Sequence, residues 1–284
     1  MSRIFEALQH AKAEPGRFEV EAPPAVPMPA PPPQGCTDPL HLDGVSSFSI
    51  VTSPEHHLVL ITDENHLGAE KIRVLSTRLR RLQQTRRLKK ILVTSSISDE
   101  GKSVIAANLA LALASRARQG ALVIGGDLRR PSLGKMFGTS NAPGLTDWWQ
   151  GETIGNCLRR AEGTSLWFLP SGRPVEQPLE MLESQRLADL MAQLGELFDW
   201  IIIDSPPLAA MADSGVWLHL VDGALLVTRA ARTPKKLLAK LLESTEVSKL
   251  LGIVLNESPD VEQRYYEDYG YHTSKKRQAG VRRS

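Results

Sequence analysis

The stretch KILVTSSISDEGKS occupies residues 90–103 and sets the fold class of the chain. The apolar and β-branched residues 91–94 are typical of a buried strand, and the polar residues after them are typical of a turn. After Gly101-Lys-Ser103, the alanine-rich run from Val104 to Arg118 has the pattern of a helix. A strand, a loop that ends in Gly-Lys-Ser and a helix together predict a phosphate-binding loop of the Walker A type.

This motif predicts ATP and Mg²⁺ as ligands, because backbone N–H groups and a helix N-terminus attract phosphates. We expect Lys102 to reach the β- and γ-phosphate oxygens and the Ser103 hydroxyl to ligate the metal ion. Ser96 stands where the usual pattern has glycine, and an ordinary turn between a strand and a helix is the alternative. The residues expected to contact the nucleotide are Ser98, Asp99, Glu100, Gly101, Lys102, Ser103 and Val104.

Composition is typical of a globular protein with extensions. Of the 284 residues, 42% are apolar and 23% are charged, and a formal net charge of +2 gives no reason to expect a nucleic acid partner. Basic residues are clustered, with nine in residues 71–90 and five in residues 275–284. Each cluster is typical either of a site for acidic lipid, an acidic partner or phosphate, or of a solvated helix face. Cys36 and Cys157 are the two cysteines and predict neither a disulfide framework nor a metal site.

Four segments follow one another along the chain. Residues 1–13 have apolar residues at helical spacing, which predicts an amphipathic head helix. Nine of the 19 prolines lie at or before Pro39, so we expect residues 14–50 to be an extended, disordered linker. Residues 51–257 are the predicted ATP-binding domain of the P-loop type, and residues 258–284 are a predicted flexible tail.

Within the predicted domain, apolar strands alternate with amphipathic helices, which is typical of an α/β fold. The strands are continuous apolar runs, so we expect a P-loop NTPase-type, mostly parallel sheet with helices on both faces. The predicted strands cover residues 90–95, 121–126, 165–169, 200–204, 223–229 and 250–255. The predicted helices cover residues 67–85, 103–118, 130–137, 145–151, 184–196, 207–219 and 234–247.

Two aspartates stand where predicted strands end. In a parallel sheet the carboxyl ends of the strands surround the ligand crevice, so we expect Asp127 and Asp204 to lie near Lys102. We assign Asp204 to the organisation of Mg²⁺, and Asp127 either to the metal or to the removal of a proton from an attacking hydroxyl. The predicted catalytic residues are therefore Lys102, Asp127 and Asp204, and the predicted metal ligands are Ser103, Asp127 and Asp204. A role in turns or caps is the alternative for each aspartate.

All tyrosines of the chain lie in one short part of the tail. The four are Tyr265, Tyr266, Tyr269 and Tyr271, and the 264 residues before them contain none. Tyrosine usually serves cores and interfaces, yet acidic residues and glycine surround this cluster. Phosphorylation sites therefore explain the cluster better than packing, and an aromatic patch for protein binding is the alternative.

The order of these motifs resembles that of the bacterial tyrosine autokinases of capsule and exopolysaccharide biosynthesis, from about Leu58 to Tyr271. The resemblance rests on the phosphate loop, Asp-Leu-Arg-Arg-Pro at 127–131, Asp-Ser-Pro-Pro at 204–207 and the tyrosine-bearing tail. It implies a kinase-like domain at 51–257 that transfers a phosphoryl group from ATP, in autophosphorylation, to tyrosines of a neighbouring subunit. The implied acceptors are Tyr265, Tyr266, Tyr269 and Tyr271.

The same resemblance implies the partners. Members of the family regulate polysaccharide polymerisation and export together with a membrane-embedded chain-length regulator that activates them. We accordingly expect a homo-oligomer that is cytoplasmic and reaches the inner face of the plasma membrane through this partner. No run of the sequence approaches the ~18 apolar residues of a membrane span, and the N-terminus lacks the apolar core of a signal peptide.

Three positions differ from the family's pattern. Gly125 stands where the first aspartate of an Asp-x-Asp pair is usual, and Ser98 and Asp99 stand where Pro-Gly is common. The family's Glu-x-x-Arg-x-x-Arg oligomer motif has Glu70 and Arg73 but ends here in Ser76.

Gly125 leaves a second function open, an ATP-binding regulatory module of the same system with weak or no kinase activity. In that case Gly125→Asp is expected to awaken activity. A positioning ATPase is the third alternative, and it is less favoured because no lysine lies between Ile91 and Gly101, where those ATPases carry one.

Overall fold

The structure is a computed structural model that describes residues 40, 42, 45–63, 66–175, 177–209, 212–244 and 247–258. The predicted head helix, most of the predicted linker and the tail from residue 259 onward, with all four tyrosines, lie outside the described residues. Within the described ranges, no helix combines the length and the apolar character that crossing a membrane requires.

An eight-stranded sheet forms the centre of the described part. Its strands are β1 Ser46–Phe48, β2 Lys90–Ser95, β3 Ala121–Gly125, β4 Arg159–Ala161, β5 Leu166–Leu169, β6 Trp200–Asp204, β7 Gly223–Arg229 and β8 Leu250–Asn256. They lie in the order β1-β4-β5-β3-β6-β2-β7-β8. Neighbouring strands are parallel except β4 and β5, which are antiparallel. The three strands that precede the predicted site residues, β3, β6 and β2, are therefore adjacent.

Helices connect the strands and cover the sheet. They are α1 Val59–Thr62, α2 Leu67–Thr85, α3 Lys102–Ala114, α4 Leu133–Phe137, α5 Leu145–Trp149, α6 Ile154–Cys157, α7 Pro178–Leu182, α8 Gln185–Leu197, α9 Ala212–Leu220 and α10 Lys235–Ser244. Long connections that carry helices are what parallel strands require. The predicted α/β architecture is confirmed.

Adjacent residues of a central strand pack into different apolar clusters, one on each face of the sheet. Ile202 belongs to the cluster that contains Leu109 of α3, whereas Ile203 belongs to the cluster that contains Leu194 of α8. All four side chains are fully buried. Burial on both faces explains why these strands are continuous apolar runs in the sequence.

Two strands were not predicted. β1 lies inside residues 14–50, the range expected to be linker, and it pairs with β4, so the sheet begins before residue 51. The missed strands have three residues each and contain little apolar pattern, so tertiary pairing rather than sequence defines them.

Several predicted helices are shorter than expected, and prolines account for two of them. The helix expected from residue 130 begins at Leu133. Pro131 disfavours the helical conformation of Arg130, the residue before it. The helix expected from residue 207 begins at Ala212, after Pro206 and Pro207. The helix expected at 103–118 ends at Ala114.

Candidate active site

The loop between β2 and α3 leads directly into the N-terminus of α3. Gly101 precedes the helix with a φ of +86°, and a Cβ at this position would lie 2.2 Å from Nδ2 of Asn256. Asp99 also has a positive φ, of +62°. Glycine is the residue that tolerates this backbone and this close approach. The first N–H groups of α3 have no partner inside the helix, so they remain available at the mouth of the loop.

Glu100 holds this loop together from the inside. Its side chain is fully buried, and Oε2 accepts hydrogen bonds from the N–H groups of Ser96 and Ile97 at 2.7 and 3.0 Å. The Thr233 hydroxyl donates to Oε1, and Asn256 Nδ2 donates to the Glu100 carbonyl at 3.0 Å. The carboxylate and the carbonyl of Glu100 are therefore both engaged within the protein, and a contact of its backbone N–H with the nucleotide stays a prediction.

Lys102 stands at the centre of the site. Its Nζ lies 2.9 Å from Oδ2 of Asp127 and 3.4 Å from Oδ1 of Asp204, and it donates to the Ser103 hydroxyl at 3.2 Å. The two carboxylates come from the ends of β3 and β6, in the arrangement expected from the sequence. The fold thus brings together the four side chains that were assigned to phosphate and metal.

The charged groups of this cluster shift the pKa values of Lys102 and Asp204. Burial disfavours the charged form of Lys102, but the carboxylates of Asp204 and Asp127 outweigh it and raise the pKa of this ammonium group. Burial also raises the pKa of Asp204, which is 1% exposed, and the charge of Lys102 with a hydrogen bond from Ser103 offsets part of that effect. Lys102 is therefore charged at neutral pH.

A cleft of about 430 Å³ opens beside this cluster. Six of the seven residues predicted to bind the nucleotide line it together with Asp127, and they are Ser98, Asp99, Gly101, Lys102, Ser103 and Val104. Glu100 is the one that does not. The other lining residues were not assigned from the sequence, and they are Arg129, Arg130, Ser132, Met136, Pro206 and Pro207. The position of the two arginines in the cleft could have been predicted from the motif Asp-Leu-Arg-Arg-Pro, because they follow shortly after Asp127 in the chain.

The chemistry of these side chains suits a magnesium nucleotide. An ammonium group and a helix N-terminus attract phosphate, while a hydroxyl and two carboxylates are the oxygen donors that Mg²⁺ prefers alongside phosphates and waters. Among the described residues, no cluster of three or more His, Cys, Asp or Glu side chains could hold a metal ion by itself. Ser103, Asp127 and Asp204 would therefore share a metal ion with the nucleotide.

Arg129 extends the site on the side of β3. Its Nε donates to Oδ2 of Asp213 at 3.0 Å, and its Nη2 lies 3.4 Å from Oδ1. Asp213 is 1% exposed and lies in α9, whereas the Arg129 side chain is 45% exposed. This paired geometry fixes the segment after Asp127 against α9.

Gly125 lies where the chain has no room for a side chain. A Cβ at this position would lie 2.5 Å from Oγ of Ser171 and 2.9 Å from its backbone nitrogen. Ser171 follows β5, the neighbour of β3, and it is 3% exposed. An aspartate at position 125 therefore fits only if Ser171 moves. The single substitution Gly125→Asp leaves Ser171 unchanged.

Comparison with known proteins places the chain in a family, although no family model matches it. It is 30% identical over 224 residues to the tyrosine-protein kinase YwqD of Bacillus subtilis, which covers 78% of this chain and 93% of YwqD. It is 34% identical over 185 residues to ExoP, the succinoglycan biosynthesis transport protein of Rhizobium meliloti, of which the match covers 23%.

A solved structure shows the same relationship in three dimensions. The kinase domain of VpsO superposes with a TM-score of 0.61 at 29% identity, over 68% of this chain and 100% of that domain. The chain shares its fold with this kinase domain and has a phosphate loop. Its similarity to YwqD extends over nearly the whole length of YwqD. The chain belongs to the bacterial tyrosine-protein kinases.

Proposed function

We propose that this chain is an ATP-dependent protein-tyrosine autokinase that phosphorylates Tyr265, Tyr266, Tyr269 and Tyr271 of a neighbouring copy. The observation that carries the proposal is the meeting of Lys102, Ser103, Asp127 and Asp204 at the N-terminus of α3. The confinement of all tyrosines to residues 265–271 supports it independently.

The chain's residues act mainly by positioning and by neutralising charge. The loop N–H groups and Lys102 would hold the phosphates of ATP, and Ser103 with Asp204 would hold the metal ion, which would supply neutralisation of charge on the transferred group. Lys102 now faces two carboxylates, and phosphate oxygens would compete with them for its ammonium group. The ammonium group of Lys102 is thus already in place at the binding site before the ligand arrives.

Asp127 is placed to receive the proton of the acceptor. The tyrosine oxygen forms a bond to the γ-phosphorus, the bond to the bridging oxygen of ADP breaks, and the phenolic proton passes to Asp127. In the structure Oδ2 of Asp127 faces Lys102, while Oδ1 accepts the N–H of Arg130 at 3.0 Å. Release of Lys102 to the phosphates would free Oδ2 for this proton.

Incubation of the full chain with Mg²⁺ and ATP, followed by mass analysis, tests the proposal. We expect phosphotyrosine in residues 265–271, and we expect none in Lys102→Met. Mixing Lys102→Met with a chain whose four tyrosines are phenylalanine should restore phosphotyrosine on the first chain, because transfer occurs between copies. Absence of phosphotyrosine in the wild-type reaction, with a membrane activator present, would overturn the proposal.

The second candidate is an ATP-binding regulatory module with weak or no kinase activity, and Gly125 favours it. It predicts ATP binding, an unmodified tail and unchanged function when the four tyrosines are replaced by phenylalanine. The contact between position 125 and Ser171 changes the test of this candidate, since Gly125→Asp alone is expected to strain the site. The double variant Gly125→Asp with Ser171→Gly is the sharper test.

We further propose that the kinase regulates exopolysaccharide or capsule polymerisation and export, as a homo-oligomer bound to a membrane-embedded chain-length regulator. This would hold it in the cytoplasm at the inner face of the plasma membrane. Similarity to ExoP, a transport protein of succinoglycan biosynthesis, supports the link to polysaccharide. Deletion of residues 1–40 should abolish co-purification with the membrane fraction, and unchanged co-purification would refute docking through the head segment.

A further inference from the structure

One wall of the cleft carries residues to which phosphate binding assigns no role. This wall is formed by the segment after β3 and carries Arg129, Arg130 and Ser132. Arg129 is paired with Asp213, whereas no hydrogen bond or ion pair engages the Arg130 guanidinium within the ranges that the structure describes. The Ser132 Oγ is buried and also lacks a partner there. The wall therefore offers a positive charge and a hydroxyl that are both unused.

Arg130 stands next to the group that would receive the acceptor's proton. Its backbone N–H donates to Oδ1 of Asp127 at 3.0 Å, while Oδ2 of Asp127 faces Lys102. Asp127 thus lies between the phosphate-binding lysine and the backbone of Arg130. A tyrosine whose hydroxyl approached Asp127 would bring its neighbouring residues to the wall of the cleft that Arg130 lines.

The tyrosine cluster has the complementary charge. Along an extended segment, residues one or two positions away lie within about 7 Å of each other. Three of the four tyrosines have an acidic residue within two positions, and they are Tyr265, Tyr266 and Tyr269, beside Glu267 and Asp268. Tyr271 is three positions from Asp268 and has no closer acid.

We propose that Arg130 is a specificity-determining residue, which selects acceptor tyrosines by pairing with a carboxylate one or two positions away from them. The proposal rests on the kinase function proposed above and names the substrate class of the same site, tyrosine segments with adjacent acidic residues. Arg129 holds the wall in place through Asp213, and Arg130 contacts the acceptor.

The test separates enzyme from acceptor while both remain full-length. The enzyme carries phenylalanine at its four tyrosine positions, and the acceptor carries Lys102→Met. In the enzyme, Arg130→Gln should raise the KM for the acceptor about fivefold, the upper range for an exposed ion pair, with kcat and the KM for ATP changed less than about twofold. Arg130→Lys should retain most of the effect of arginine. Arg118→Ala, an exposed arginine beyond the far end of α3, is the matched control.

Charge reversal gives the decisive comparison. An acceptor with Glu267→Arg and Asp268→Arg should be a poor substrate of the Arg130-containing enzyme and should be rescued by Arg130→Glu. Site-resolved mass analysis should find that Arg130→Gln slows Tyr265, Tyr266 and Tyr269 and leaves Tyr271 nearly unchanged. A binding measurement that needs no turnover, the anisotropy of a labelled peptide of residues 260–272 with Lys102→Met protein, should weaken about fivefold with Arg130→Gln.

Each alternative outcome has a distinct meaning. A rise in the KM for ATP with Arg130→Gln would show that this arginine serves the nucleotide, and an equal slowing of all four tyrosines or a failed charge reversal would overturn acceptor selection. If the unaltered pair yields no phosphotyrosine and the peptide binds equally with and without Arg130, the kinase function and the acceptor proposal both fail.

Discussion

At the scale of single residues, the site depends on a lysine that is held between two carboxylates. Nζ of Lys102 is within 3.4 Å of both Asp127 and Asp204, and all three side chains are nearly buried. Buried charges are tolerated when they are paired and hydrogen-bonded, so Lys102 stabilises both carboxylates, whose charges repel each other. The arrangement keeps the Lys102 ammonium group charged at the helix N-terminus, where phosphates would bind.

Lys102→Met tests this balance. The change leaves two neighbouring carboxylates without their cation, so we expect the free energy of unfolding to fall by about 3 kcal/mol. Phosphoryl transfer should fall at least about 100-fold, because the ammonium group contacts the reacting phosphates. Thermal denaturation and phosphotyrosine analysis measure the two effects. Lys240→Met, an exposed lysine of α10, should change neither.

Gly125 is a second decisive residue, and its role is steric. Gly125→Ala should lower the free energy of unfolding by about 1–3 kcal/mol, because its Cβ would overlap Ser171. Adding Ser171→Gly should recover part of the loss by removing the Oγ atom. Gly195→Ala in α8 is the control: no atom lies within 4 Å of its added Cβ, so it should stabilise the helix by about 0.5–1 kcal/mol. A neutral Gly125→Ala would contradict this interpretation.

At the scale of elements, the phosphate loop is fixed by chain segments far from it in sequence. Thr233, from the turn between β7 and α10, donates to the carboxylate of Glu100, and Asn256, the last residue of β8, donates to the Glu100 carbonyl. Arg229, the last residue of β7, forms an ion pair with Glu257, the residue after β8. The end of β8, just before the predicted tail, is therefore linked by the Asn256 hydrogen bond to the loop that would hold ATP.

Glu100→Ala should loosen this loop. The buried N–H of Ser96 and the half-buried N–H of Ile97 would lose their acceptor, which costs about 1–3 kcal/mol for a buried unsatisfied group and less for a half-buried one. We expect the affinity for Mg-ADP, measured by calorimetry, to fall about tenfold, with a smaller loss in Thr233→Val. Glu243→Ala, exposed on α10, is the matched control. An unchanged affinity in Glu100→Ala would show that the loop keeps its shape without this carboxylate.

At the scale of the whole molecule, the sheet is buried on both faces. Ile202 and Ile203 are adjacent in β6 and both fully buried, yet they pack into different apolar clusters. The site lies at the carboxyl ends of β2, β3 and β6, so both clusters position it. The edge strand β8 differs, because its Ile253 is 46% exposed.

Substitutions on the two faces test this architecture. Ile202→Ala and Ile203→Ala should each lower the free energy of unfolding by about 2–5 kcal/mol, since each leaves a cavity in a packed cluster. Ile253→Ala should cost less, because nearly half of the Ile253 surface is exposed and its truncation leaves no enclosed cavity. Denaturant unfolding compares the three variants. A small effect at either residue of β6 would mean that one face of the sheet is not a packed core.

The sequence by itself determined the α/β class, the six longer strands and the meeting of Lys102, Ser103, Asp127 and Asp204. Continuous apolar runs indicate buried parallel strands, and residues at the carboxyl ends of such strands are expected at the same edge of the sheet. Local pattern could not reveal β1 and β4, which are short and depend on pairing with each other.

Only the tertiary structure decided the inward role of Glu100 and the absence of space at Gly125. Glu100 stands in the loop among the predicted nucleotide contacts, and its carboxylate is engaged by Thr233 and by the N–H groups at 96 and 97. The Ser171 contact joins positions that are 46 residues apart, and no local preference encodes it. Side-chain roles of this kind depend on distances between distant segments, which exist only after the chain has folded.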